Sequence, residues 1–139
     1  MTTKFDGSQY IIRLNKGESL MASLTEFVQK EGIKGAWVNG VGGASSAELG
    51  YFNLQTKAYE WRTFSELMEV TSLQGNLATH NGELAWHLHA TVSDRNFQAF
   101  GGHVKELIVG ATLEILLRRF VMPLERTQDE ETGLNLLDL

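Results

Sequence analysis

Three of the four histidines in this chain are gathered between Trp86 and His103: His87 and His89 in "WHLHATVS", and His103 behind a glycine pair in "FGGHV". Neutral imidazole is a nitrogen ligand for zinc, iron, nickel and copper, so the residue type alone does not fix the metal. In an extended segment, residues two apart project from the same side. Their Cα atoms lie about 6.5–7 Å apart, and two rings leaning together can reach one ion at about 2.0–2.1 Å per Zn–N bond. The third ring needs a different route. Gly101-Gly102 predicts a flexible bend that aims His103 back at the strand. Three nitrogen ligands with the fourth position open are the pattern of a catalytic rather than a structural zinc site. The same spacing equally suits strand histidines that are solvated or hydrogen-bonded without an ion. There is no cysteine, which removes thiolate ligands, thiol nucleophiles and disulfides.

Glu114 is the second candidate for chemistry. In "VGATLEILLRRF" both alternating sets of side chains are largely apolar, which predicts a strand covered on both faces and a buried carboxylate. Burial of that charge costs several kcal/mol unless it is paired. Its candidate roles are to accept the other N–H of a ligand histidine or to act as general base beside metal-bound water. An ion pair with Arg62 or Arg118 accounts for it equally well. Glu83 opens the histidine strand and reads as solvated. Asn76, after Gly75, reads as a bulge residue, the alternative being a polar group turned toward the histidines. His80, beside Asn81-Gly82, reads as a solvated turn residue.

The elements that must position these residues follow from periodicity. "QYIIRL" reads as a strand, and "ESLMASLTEFVQKEG" places Leu20, Leu24, Phe27 and Val28 on one helical face, with Ser19 or Glu18 near its start and Gly32 beyond its end. "GAWVNGVGGASSAELGYFNL" suggests two strands around a glycine-rich bend, and "AYEWRTF" a further strand. Asn81-Gly82 marks a hairpin between two β-rich runs, because both turn positions accept positive φ. Leu134, Leu136, Leu137 and Leu139 make the C-terminal tail a covering segment. The order of strand, helix, then many antiparallel strands specifies an α+β fold: a single domain over residues 1–139, mainly antiparallel β-sheet flanked by one or two helices.

A formal net charge of −5 argues against nucleic acid, because phosphate recognition needs a basic surface. The longest apolar stretch, "LIVGATLEILL", is interrupted by Glu114 and short of the ~20 residues that span a bilayer. With no leader-like apolar run near the start, the expectation is a cytoplasmic protein with no membrane partner.

The segments "MEVTSLQGNLA", "HLHATVSD", "GGHV" and "TLEILL", in that order, resemble the plants-and-prokaryotes-conserved (PPC) domain family, in particular its stand-alone bacterial members described as PD1-like DNA-binding proteins. The resemblance runs from "IIRLNKGESL" to "LERTQDEETGLNLL". It implies an antiparallel sheet flanked by helices, a homotrimer, and in some bacterial members a divalent metal, carried here onto His87, His89 and His103 with zinc as the first choice. Glu114 matches the family's T-x-E element. Plant members carry an R-G-R-P AT-hook ahead of the domain. Here the only proline, Pro123, lies in "VMPLER", so the DNA-binding label transfers poorly. At the level of fold the domain is similar to acetolactate decarboxylase, a zinc protein with a three-histidine site, and fold alone does not fix function.

Three functions are therefore in view. The first is a metal-binding homotrimer that acts on or senses a small anionic metabolite and, if catalytic, is a zinc-dependent lyase or hydrolase, with Glu114 as catalytic group. The second is a DNA-binding regulator without an AT-hook. The third is a structural or interaction module. Trp37, Trp61 and Phe97 either need a partner surface to cover them or fill the core of the single chain.

Overall fold

The computed structural model describes all residues from Met1 to Leu139. Two short strands, β1 (Thr2–Phe5) and β2 (Gln9–Asn15), precede a single helix, α1 (Leu20–Glu31). Then follow β3 (Ala36–Asn53), β4 (Ala58–Phe64), β5 (Met68–His80), β6 (Glu83–Ser93), β7 (Ala99–Arg119), β8 (Glu125–Gln128) and β9 (Asn135–Asp138).

The helix forms where its periodicity places it. Ser19 caps it by accepting from the Ala22 N–H, and Gly32 ends it at φ 65, a left-handed conformation that glycine adopts without Cβ strain. Leu20, Leu24, Phe27 and Val28 are buried. Glu106 of β7 anchors the helix start by accepting from the Ser19 hydroxyl at 2.8 Å and the Met21 N–H at 3.3 Å.

Strands β3, β5, β6 and β7 hydrogen-bond in a closed circuit: β3 with β5 and β7, and β6 with β5 and β7, all antiparallel. Closure leaves these central strands without a free edge. The inner face of the circuit is filled by fully buried Leu73, Leu77, Leu113, Ile115 and Leu117. β6 obeys the period of two: Leu88, Ala90 and Val92 are buried, and Trp86 turns toward the helix, donating its indole N–H to Thr25 Oγ1 at 3.0 Å. His87 and His89 therefore face outward.

Three segments fold differently from the sequence expectations. "AWVNGVGGASSAELGYFN" is one continuous strand rather than two, because register shifts near Gly40, Gly42 and Ala44 absorb the curvature within it. Gly101-Gly102 is likewise no bend; both lie inside β7. The glycines serve close approach instead: a Cβ on Gly102 would lie 2.7 Å from the Gly50 carbonyl oxygen of β3. The tail does cover the sheet, as a hairpin of β8 and β9, but its leucines are only partly buried and Leu139 is fully exposed.

Candidate metal centre

Strand register, and not a swinging loop, brings the histidines together. His87 and His89 share the outer face of β6, and His89 sits directly across from His103 of β7. Residues directly opposite in an antiparallel pair have their Cβ atoms about 4.5–5.5 Å apart on one face. One ligand nitrogen from each of the three rings lies within 4.8 Å of the others. His87 Nε2 and His89 Nε2 are 3.1 Å apart. Two nitrogens bound to one tetrahedral zinc are separated by about 3.3 Å, so this pair already stands near coordination distance.

Glycine makes the approach possible on both sides. A Cβ on Gly75 of β5 would overlap the His87 carbonyl, so its absence lets β5 close against β6 at the site. Gly50 pairs with His103 and leaves room for the rings of β4: a Cβ there would lie 2.6 Å from Trp61 and 2.9 Å from Tyr59. Tyr59 stacks on Trp61 at 4.8 Å between ring centroids and reaches the His103 ring at 4.9 Å.

The electrostatics keep two of the rings, His87 and His103, neutral. Burial, then the neighbouring His87, His89 and Arg126, holds the His103 imidazolium pKa down to about 4. His87 is pushed down by burial first, then by Arg126 and His89. His103 Nδ1 is buried with no hydrogen-bond partner, and an unsatisfied buried polar atom carries a cost of about 1–3 kcal/mol. Two rings held neutral, three ligand nitrogens clustered together and an orphaned nitrogen fit a divalent ion, since imidazole must be deprotonated to ligate.

The cluster opens into a cavity of about 650 Å³. Tyr59 and Phe52 form one wall, and Arg126, Leu134, Asn135 and Leu136 of the C-terminal hairpin form the roof. No Asp or Glu lines it. Asn76 is not in a bulge; it pairs regularly with His87, is buried, and accepts from Arg126 Nη2 at 2.5 Å. The expectation of a polar group on the histidine side is the one that fits. His80 is not a free turn residue either: its Nδ1 lies 3.0 Å from the Arg126 carbonyl oxygen.

Glu114 lies elsewhere. It is exposed, not buried, because only the Leu113, Ile115 and Leu117 side of β7 faces the core. It makes no ion pair with Arg62, Arg118 or any other base; the two ion pairs are Met1–Glu18 and Lys105–Glu48. In the register it pairs with Val41 of β3, with β5 lying between β3 and the histidine strand. By way of β3 and β5 that is three strand spacings from β6, roughly 14 Å along the sheet, and two residues along β7 from the row that ends at His89. Glu83 is exposed at the start of β6. Sequence reasoning missed Arg126 and Tyr59. Arg126 stands in "LERTQDEE" as one charge among several, and only the pairing of the C-terminal hairpin places it.

The model of the Plants and Prokaryotes Conserved (PCC) domain matches residues 1–121. Among solved structures, a candidate DNA-binding protein of Bacteroides thetaiotaomicron is 32% identical, with TM-score 0.94 over 99% of this chain and 96% of its own. The metal-containing protein AF0104 of Archaeoglobus fulgidus is 29% identical, with TM-score 0.85 over 98% of this chain and 97% of its own. Acetolactate decarboxylase of Bacillus subtilis shares the fold alone, at 12% identity and TM-score 0.58, over 86% of this chain and 54% of the enzyme. A curated relative, the bifunctional protein GlmU of a Synechococcus strain, is 31% identical over 110 residues, 78% of this chain but only 16% of that protein's length.

Proposed function

The chain belongs to the Plants and Prokaryotes Conserved domain family, and from that premise we propose that it is a metal-binding member in which His87, His89 and His103 hold a divalent ion, zinc first, and a small anionic metabolite is bound or sensed beside it. One observation carries the reading: three imidazoles offer ligand atoms within 4.8 Å of one another. The metal content of the Archaeoglobus relative, which spans nearly all of this chain, supports it. A bound ion would supply Lewis-acid polarisation of a ligand oxygen. The chain's own residues enclose the site, hold His87 and His103 neutral and orient the ligand. No carboxylate lines the cavity to move a proton, so binding or sensing is favoured over turnover. A lyase or hydrolase reaction would need its acid–base group from Tyr59, from the ligand or from another subunit. Elemental analysis of untagged protein tests the reading. It should find one divalent ion per chain, absent in the double variant His87→Ala and His89→Ala; metal-free protein after growth in supplemented medium would overturn it.

The homotrimer is part of the same proposal. Ile11, Val41 and Leu116 are half-exposed around a groove on the outer face, where a second copy would cover them. Sedimentation should give three times the 15.5 kDa chain mass. A DNA-binding role is the second reading, favoured by the description of the Bacteroides relative and opposed by the acidic charge. It requires a mobility shift at low salt that fades steeply as salt rises.

A further inference from the structure

Arg126 carries a charge that nothing in the protein balances. A guanidinium has five N–H donors. Here Nη1 donates to the Asn135 carbonyl at 2.8 Å and Nη2 to Asn76 Oδ1 at 2.5 Å, both uncharged acceptors. Nε is buried and has no partner. No carboxylate forms an ion pair with it, and none lines the cavity it roofs. Withdrawing a charge even partly from water without a counter-charge is unfavourable, and a divalent ion on the histidines would add to the positive field.

The arginine is also held in place. The Arg126 carbonyl is tied to His80 Nδ1 at 3.0 Å, and the Leu124 carbonyl just before it accepts from the Thr79 N–H at 2.8 Å. At the far end of the hairpin, Lys57 Nζ donates to the Glu130 carbonyl at 2.7 Å. A planar fork fixed in this way is suited to recognising an anion. Its anchor Asn76 is the cross-strand neighbour of His87, so the guanidinium stands one side chain from the metal-ligating cluster.

We propose that Arg126 is the anion-recognition residue of this cavity, and that the ligand is a small carboxylate with a second oxygen donor, a 2-hydroxy or 2-keto acid, its carboxylate on the remaining Nη1 and Nη2 N–H groups of Arg126 and its other oxygen at the histidines. The placement of the second oxygen rests on the metal-binding reading; the carboxylate contact does not. A carboxylate is chosen over a phosphate because the cavity holds a single arginine, no lysine and no helix N-terminus. A phosphate dianion would want more donors than two committed Nη groups leave. The cavity, about 650 Å³ with an aromatic wall, lies within the usual range for small metabolites.

Isothermal titration with glycolate, its neutral analogue glycolamide, and inorganic phosphate tests the assignment. The proteins are wild type, Arg126→Gln and Arg126→Lys, each zinc-loaded and metal-free. Wild-type protein should bind glycolate at least about tenfold more tightly than glycolamide, as loss of a charge-assisted hydrogen bond predicts. Arg126→Gln should lose at least about that factor while retaining its zinc, and Arg126→Lys should recover part of it. Equal binding of glycolate and glycolamide by wild type would overturn the proposal, as would glycolate affinity unchanged in Arg126→Gln. Phosphate binding more tightly than glycolate would overturn the carboxylate assignment. Wild-type protein that takes up no zinc would defeat the metal reading alone. The metal-free titration then decides, with Arg126-dependent glycolate binding supporting the proposal and no glycolate binding overturning it. The wild-type comparison of acid and amide stands even where Arg126→Gln fails to fold.

Discussion

Two ends of one sheet face behave differently. Leu116, Asn39, Gln74 and His89 form a single row across β7, β3, β5 and β6, each paired directly with the next. At one end stand Ile11, Val41, Glu114 and Leu116, open to solvent. At the other stand the histidines, roofed by the C-terminal hairpin and walled by Tyr59. Both ends hold residues able to do chemistry, on strands of the same alternation. What separates them is cover. The hairpin and the aromatic wall desolvate His87 and His103 and hold them neutral, whereas nothing from its own chain packs over the carboxylate of Glu114. Cover, more than residue type, makes the site.

The contrast can be broken or sharpened by substitution. The largest effect is expected from His87→Ala combined with His89→Ala, which should abolish metal uptake in elemental analysis, whereas Glu114→Gln should leave it unchanged. Loss of metal in Glu114→Gln would erase the distinction between the two ends. Next in size, Gly75→Ala forces a Cβ into the His87 carbonyl. Overpacking of this kind costs about 1–3 kcal/mol, measurable as a lower urea midpoint, and it should also weaken metal retention by displacing His87.

Acid should act on the covered end first. The folded state keeps His103 neutral down to about pH 4, while the unfolded chain protonates it near the ordinary value of about 6.5. The unfolded state therefore binds more protons between these values, so the metal-free protein loses stability as pH falls from about 6.5 toward about 4. His103→Gln should flatten that part of the stability profile; an unchanged profile would count against a desolvated ring. The smallest effects belong to the open end. Ile11→Ser or Leu116→Ser should change monomer stability by only about 0.5 kcal/mol, as at other surface positions, yet reduce self-association in sedimentation.

The parts of this site written in local spacing were legible in the sequence. The outward pair His87 and His89 followed from the alternation of "LAWHLHA", the β5–β6 hairpin from Asn81-Gly82, and helix α1 from Leu20, Leu24, Phe27 and Val28 with Gly32 beyond. What failed was non-local. The glycines before His103 looked like a bend, but they are narrow residues inside a strand, placed there because β3 passes close at Gly50. Glu114 looked buried because both faces of its strand are apolar, yet the outer apolar residues are a surface strip. Arg126 gave no periodic signal at all. Its role depends on a hairpin whose ladder pairing with β5 is a single parallel bridge, Thr79 with Glu125, and no local pattern encodes such a pairing.

Zinc-edge X-ray absorption on untagged protein tests the central claim most directly. Convergence of His87, His89 and His103 predicts three imidazole nitrogens at about 2.0–2.1 Å with a lighter oxygen contribution completing the shell. A spectrum with fewer than three imidazoles, or identical spectra for wild type and His103→Gln, would show that the rings gathered on this face do not share an ion.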